Sequence, residues 1–228
     1  MGQDATMYQR AALTVYLHPF SSYCQKAKVA FYEKGVPFVV KLLDGSEPVA
    51  SEFAALWPIG KFPVAVDGDQ LIFEATGIIE YLEALYPEQV RLIPLDPVLA
   101  AEVRMWDRFF DNYISYPQQQ MIYVALGREP DDGDDCAKWK TALETAYAIL
   151  DQRMAGRKWV AGETFSLADC AAAPALLYAD WTHAIPERFA HVHSYRARLL
   201  ARSSYAQVLD EARPYRHLFP LGAPEGRD

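Results

Sequence analysis

The chain is poor in the features that staple small proteins together or hold them to large charged partners. Its three cysteines, Cys24, Cys136 and Cys170, are an odd number with no Cys-x-x-Cys pair, which argues against a disulfide framework and against a zinc site. They fit a reducing compartment. No run is long and apolar enough to span a membrane, and the polar opening, Met1 to Ala12, lacks the apolar segment of a secretion signal. A flexible tail over 1–12 and a cytoplasmic location are the expectations. Basic residues are outnumbered, 22 Lys plus Arg against 30 Asp plus Glu, for a net charge of -8. That removes the usual basis for binding nucleic acid or an anionic membrane and leaves a small molecule or a protein as partner. Internal repeats and low-complexity tracts are missing too. With 228 residues, 51% of them hydrophobic, the chain has material for one or two globular domains with ample core.

The first part alternates strand and helix. Leu13-Thr14-Val15-Tyr16-Leu17 is β-branched and aromatic, the next segment has helical spacing up to Lys34 and stops at Gly35, and Pro37 to Leu42 is a second strand. A loop with a short helix follows. Asp67-Gly68-Asp69 then supplies the turn of a hairpin between Pro63–Val66 and Leu71–Phe73, and Ile78 to Leu85 makes a helix that closes before Pro87. The fold expected is α/β followed by all-α, split at the stiff connector 93–97, whose Pro94 and Pro97 mark the boundary between 13–92 and 98–228. Beyond it lie a long or kinked helix from Leu99 to Leu126, an acidic solvated turn over Glu129–Asp135, a helix from Ala137 to Met154, and helices from Leu167, Glu187 and Tyr205. Ser166 and Asp169 form a capping pattern, stapled by Phe165, ahead of an alanine-rich helix that belongs at the centre of a bundle.

Chemistry concentrates at His18-Pro19-Phe20-Ser21-Ser22-Tyr23-Cys24-Gln25-Lys26, where two hydroxyls and a thiol stand at a strand-to-helix junction. The N-terminus of a helix carries unpaired N–H groups and the positive end of the dipole, so it stabilises a carboxylate or a thiolate. Ser22 reads as the N-cap of a capping box with Gln25, which leaves Ser21 just outside the helix with a free hydroxyl. Ser21 is then either an ordinary loop residue or a donor to a ligand. Cys24, in the first turn of a helix packed on a sheet, is either a small buried hydrophobe or a reactive thiol. His183, His191, His193 and His217 share no spacing that would bind a metal.

Taken in order, these motifs resemble the cytosolic glutathione transferases, of a bacterial and serine-type kind, from Leu13 to about Phe219. The residues that carry the resemblance are Ser21-Ser22-x-Cys24 at a helix start, Trp57-Pro58-Ile59-Gly60-Lys61-Phe62-Pro63 before the hairpin, Glu74-Ala75-Thr76-Gly77 after it, and the Ser166-x-x-Asp169 box. The resemblance implies a thioredoxin-like domain (β-α-β-α-β-β-α), an all-helical domain and a homodimer acting in detoxification, with glutathione as co-substrate, no metal, and a small hydrophobic electrophile as second substrate. It implies that Pro63 is cis and presents the Phe62 backbone, beside Lys61, to the cysteinyl part of the tripeptide. It implies that Glu74 takes the γ-glutamyl amine, while the helix start at Ala75 and Thr76 attracts its carboxylate. Ala75 stands where the family often has a serine hydroxyl for that carboxylate, and Thr76 is the substitute donor to hand. Ser21 matches the serine that hydrogen-bonds the glutathione sulfur, with Ser22 and Cys24 as alternatives. Leu17 stands where tyrosine classes need their hydroxyl. On the long helix Trp106, Phe109, Phe110 and Tyr113 share a stripe that reads as core, dimer contact or electrophile pocket. A zeta-like isomerase and a non-catalytic interaction module stand beside the transferase reading.

Overall fold

The alternation of strand β1 (Leu13–Leu17) sets up the first three layers. Leu13, Val15 and Leu17 enter the main core, whereas Tyr16 points to the other face and meets Phe53 and Val64. The computed structural model describes residues 12–130 and 136–228, so most of the expected tail, 1–11, and the centre of the acidic turn, 131–135, lie outside the described residues. Strand β2 (Phe38–Leu42) runs parallel to β1, and β3 (Val64–Asp67) and β4 (Gln70–Phe73) continue antiparallel on its other side, in the order β2-β1-β3-β4. Helices α1 (Ser22–Lys34) and α3 (Ala75–Leu85) cover one face, and α2 (Val49–Leu56) covers the other through Phe53. Helix α1 ends at Gly35 with φ 62, a left-handed conformation that a residue without Cβ adopts at little cost.

Several helix starts differ from expectation, among them those of the two helices that flank the linker. Helix α3 begins at Ala75, three residues ahead of Ile78, because the chain turns on Glu74 in a conformation (φ 65, ψ 133) that no capping residue announces. Helix α4 (Pro97–Phe109) begins two residues ahead of Leu99: the Asp96 carboxylate accepts from the Val98 and Leu99 N–H groups at 2.9 Å, and Pro97 suits a first turn. The chain continues through a π-helical turn, Phe110–Ser115, into α5 (Tyr116–Ala125), so the long helix is one path in three pieces.

Helix α6 (Ala137–Met154) has the expected bounds, and α7 (Leu167–Thr182) is buried along nearly all its length against α1, α4 and the π turn. Its run of alanines lets those neighbours approach closely. The expected capping box holds it, with Asp169 accepting from the Ser166 N–H and hydroxyl at 2.9 Å and from the Tyr195 hydroxyl at 2.5 Å. Helix α8 (Ala190–Leu200) starts after a turn at 187–188, and α9 (Ser203–Ala212) leads into a 3₁₀ segment, Arg213–Leu218. This last segment returns to the first domain: Tyr215 meets His18 edge-on at 4.7 Å between centroids, and Phe219 packs among Phe20, Tyr178 and Trp181. No helix among the described residues is long and apolar enough to cross a membrane.

Candidate active site

The loop ahead of α1 is held by its own backbone. Ser21 N–H donates to the His18 carbonyl at 3.0 Å, Phe20 N–H to His18 Nδ1 at 3.1 Å, and Gln25 N–H to the Ser21 carbonyl at 2.9 Å. Ser21, not Ser22, is the N-cap. Its Oγ accepts from the Cys24 N–H at 3.4 Å, and Ser22 is already the first helical residue. The capping box with Gln25 does not form, because the Gln25 amide nitrogen is diverted to the Pro19 carbonyl at 3.1 Å and the Tyr178 hydroxyl at 2.9 Å. The Ser21 hydroxyl is therefore engaged as an acceptor at the helix start, and its rotatable O–H is the group it has to donate.

Gln25 was invisible as a site residue in the sequence, yet it organises the loop. Its oxygen accepts from Tyr205 at 3.2 Å, and Tyr178 donates in turn to the Phe20 carbonyl at 2.8 Å. All three side chains are buried, so two tyrosines of the helical half fix the polypeptide that carries Ser21. Cys24 is fully buried, and burial pushes its thiol up to about 12 despite the Ser21 and Lys28 contacts that oppose the shift.

Further along α1, the side-chain contacts are charged. Lys26 is nearly fully buried with Asp107 Oδ1 at 2.6 Å, Asp111 Oδ2 at 2.8 Å and Thr76 Oγ1 at 2.9 Å. Thr76 donates to Asp107 Oδ2 at 2.9 Å and accepts from Arg108 as well. A hydroxyl has one donor and two acceptor sites, so Thr76 is saturated inside this cluster and is not the substitute carboxylate donor expected from the sequence. Arg108 also holds Asp107 Oδ2 at 2.5 Å and Asp111 Oδ2 at 3.0 Å. Tyr23, half-buried on the exposed side of α1, has its hydroxyl pushed up to about 12 by burial, helped by Asp111, Tyr123 and Glu74. Tyr23, Glu74, Arg108, Asp111 and Tyr123 thus share one electrostatic neighbourhood.

The remaining expected residues are placed as follows. The Phe62–Pro63 bond is cis, with Pro63 buried and Lys61 exposed beside them. Glu74 is exposed at the start of α3, while Ala75 is buried. Leu17 is buried in the main core and Tyr16 lies on the opposite face, donating to Glu52 at 3.5 Å. The aromatic stripe does not line one pocket. Trp106 and Phe110 belong to the core, and Phe109 and the largely exposed Tyr113 keep the accessible surface. The physical reason is helix phase: the face of α4 and the π turn toward Lys26 of α1 and Thr76 of α3 carries Asp107, Arg108 and Asp111, so the aromatic positions between them turn inward or away. Among the described residues no cluster of His, Cys, Asp or Glu gathers as a metal site.

Comparison with known proteins follows the same division. Residues 15–90 match the glutathione S-transferase N-terminal domain and residues 119–203 the glutathione S-transferase C-terminal domain. The chain belongs to the glutathione S-transferase family. Among relatives of this transferase-family chain, the glutathione S-transferase-like protein LUC7 of a Fusarium species is 32% identical over 139 residues, 60% of this chain and 62% of that protein. A stringent starvation protein A homolog of Coxiella burnetii is 25% identical over 209 residues, covering 90% and 95%. Solved structures with the same fold include FzlA from C. crescentus, with a TM-score of 0.78, 25% identity and coverage of 96% and 98%. Poplar glutathione transferase F1 superposes with a TM-score of 0.77 at 21% identity, covering 90% and 99%. Family membership supports a glutathione-binding transferase or a related function.

Proposed function

We propose that the chain is a serine-type glutathione transferase, in which the Ser21 hydroxyl and the start of α1 hold the glutathione sulfur as thiolate for addition to a small hydrophobic electrophile. One observation carries the reading. Ser21 caps α1, its Oγ accepting from the Cys24 N–H at 3.4 Å, so a rotatable hydroxyl stands at the positive end of the α1 dipole where a sulfur could accept from it. An O–H donated to sulfur favours the thiolate, because the neutral thiol is a weak acceptor. Serine does not attack. The sulfur of glutathione forms the bond to carbon, and a leaving group departs or a double bond accepts the pair. The burial of Cys24 supports Ser21 over the thiol, and Ser22, inside the helix, lacks the capping contact that fixes Ser21. Phe62 with cis Pro63, Lys61, Glu74 and the backbone at Ala75 and Thr76 complete the glutathione cleft in this reading, and Phe109 and Tyr113 are the accessible part of the electrophile side. A homodimer in a reducing cytoplasm belongs to the same proposal, supported by Met105, Tyr113 and Tyr116 exposed along α4–α5 and by three free cysteines.

The test is titration of the bound glutathione thiol by its ultraviolet thiolate absorbance. Wild type should ionise it well below the roughly 8.5 of a free thiol, and Ser21→Ala should return it toward that value with little change in affinity. An unchanged midpoint in Ser21→Ala removes the serine from the mechanism. A second reading, a non-catalytic interaction module, is favoured by Ala75 and by the saturation of Thr76. It predicts that no glutathione binds.

A further inference from the structure

The γ-glutamyl end of glutathione is an α-amino acid, with an ammonium and a carboxylate on one carbon. Glu74 supplies a charge for the first. For the second the start of α3 offers no free hydroxyl: residue 75 is alanine, and Thr76 is saturated by Lys26, Arg108 and Asp107. The chain as a whole is acidic, so an anionic group needs a local cation.

Arg108 is a cation at the start of α3, already paired with Asp107 and Asp111 but with one edge of its guanidinium unengaged. Its Nε and Nη2 are engaged with Asp107, Asp111 and Thr76, which fixes the guanidinium plane, whereas Nη1 donates to nothing among the described residues and the side chain is 52% exposed. Glu74 acts electrostatically on Arg108, and both act on Tyr23 beside the opening turn of α1. Lys26 and Arg108 together balance Asp107 and Asp111, so what Arg108 offers an anion is the unengaged Nη1 edge of a paired guanidinium. Arg108 reaches the Thr76 hydroxyl, two residues beyond Glu74, so one pinned guanidinium edge and one exposed carboxylate stand together at the start of α3, the complement of an α-amino acid zwitterion.

We infer that Arg108 is a specificity-determining residue that takes the α-carboxylate of the γ-glutamyl group through Nη1, replacing the hydroxyl that Ala75 lacks, while Glu74 takes the ammonium. The inference rests on the glutathione reading. It deepens that reading by assigning a residue on α4 to ligand discrimination.

The experiment is calorimetric titration of the full chain with glutathione and with γ-aminobutyryl-cysteinyl-glycine, which differs only by the missing α-carboxylate. Wild type should prefer glutathione by about 10- to 100-fold, the effect of one hydrogen bond to a charged group. Arg108→Met should lose that preference by weakening glutathione alone, leaving the analogue's affinity unchanged. Arg108→Lys keeps the charge that Asp107 and Asp111 pair with and serves if the methionine variant does not fold. It too should lose most of the preference, because the fork is gone. Equal losses on both ligands, or none on glutathione, overturn the role of Arg108 and leave the glutathione reading standing. Wild type that binds neither ligand overturns both.

Discussion

The Tyr178 hydroxyl accepts from the Gln25 side chain at 2.9 Å and donates to the Phe20 carbonyl at 2.8 Å, so a single phenol of α7 ties α1 and the Ser21 loop to the helical half. Removing it leaves a buried carbonyl and half an amide without partners. Tyr178→Phe should therefore cost about 1–3 kcal/mol in denaturant unfolding and lower kcat more than it raises KM for glutathione, because the loop and not the tripeptide contacts is loosened. An unaffected kcat would mean that the loop is fixed by its own turn alone.

Cys24 offers a contrast with Ser21 in the same helical turn. Its thiol is buried and pushed up to about 12, chiefly by desolvation, so it holds its proton at neutral pH. Cys24→Ala should retain near wild-type turnover, and the native protein should react slowly with thiol reagents at this position. Fast labelling of Cys24 by peptide mass mapping would show the burial to be wrong.

Glu74 combines the carboxylate proposed to take the γ-glutamyl ammonium with a backbone that favours glycine. A non-glycine residue at φ 65 costs on the order of 1–3 kcal/mol. Glu74→Gly should accordingly be about 1 kcal/mol more stable than Glu74→Ala in thermal unfolding, although both should bind glutathione poorly. Equal stabilities would remove the strain from the account.

Lys26 is a buried cation held between two carboxylates, one of them fully buried. Lys26→Met leaves Asp107 facing Asp111 without a buried counter-charge and should destabilise the chain by about 3–5 kcal/mol. Chemical denaturation measures this. A loss below about 1 kcal/mol would place the pair in the class of exposed ion pairs.

His18 carries a pH dependence of definite sign. Its pKa is lowered, first by burial, with Asp44 opposing, and its Nδ1 accepts from the Phe20 N–H only while unprotonated. The unfolded chain binds the proton at a higher pH than the folded one, so this contribution is intact above about 6.5 and is lost as pH falls below that value. His18→Asn should flatten stability against pH in the window just below 6.5. An unchanged slope would assign the titration elsewhere.

Much of the fold was legible because strand alternation and helix punctuation are local. Leu13–Leu17, Gly35, Asp67-Gly68 and the Ser166–Asp169 box each fix their element without distant help. Of the candidate site, the cis Phe62–Pro63 bond was legible from a short motif, whereas the cap was read one residue late, at Ser22 and not Ser21, because Gln25 is drawn off to Tyr178. The site was obscure where burial depends on a partner far along the chain. Lys26, Asp107, Arg108 and Asp111 look in sequence like an ordinary charged helix surface, and only the packing of α4 against α1 and α3 makes them an interior wall. The helix boundary at Glu74 was hidden because its turn uses a side chain with no capping chemistry, and the aromatic stripe left core, dimer contact and pocket open because a shared phase does not say which neighbour it faces.

The seating of Tyr215 on His18 and of Phe219 beside Phe20 makes the two extremities of the molecule mechanically one unit. Trimming behind Arg213, or appending a bulky tag that drags this segment off, would disturb turnover from a place in the primary structure nearly as remote from Ser21 as the chain permits.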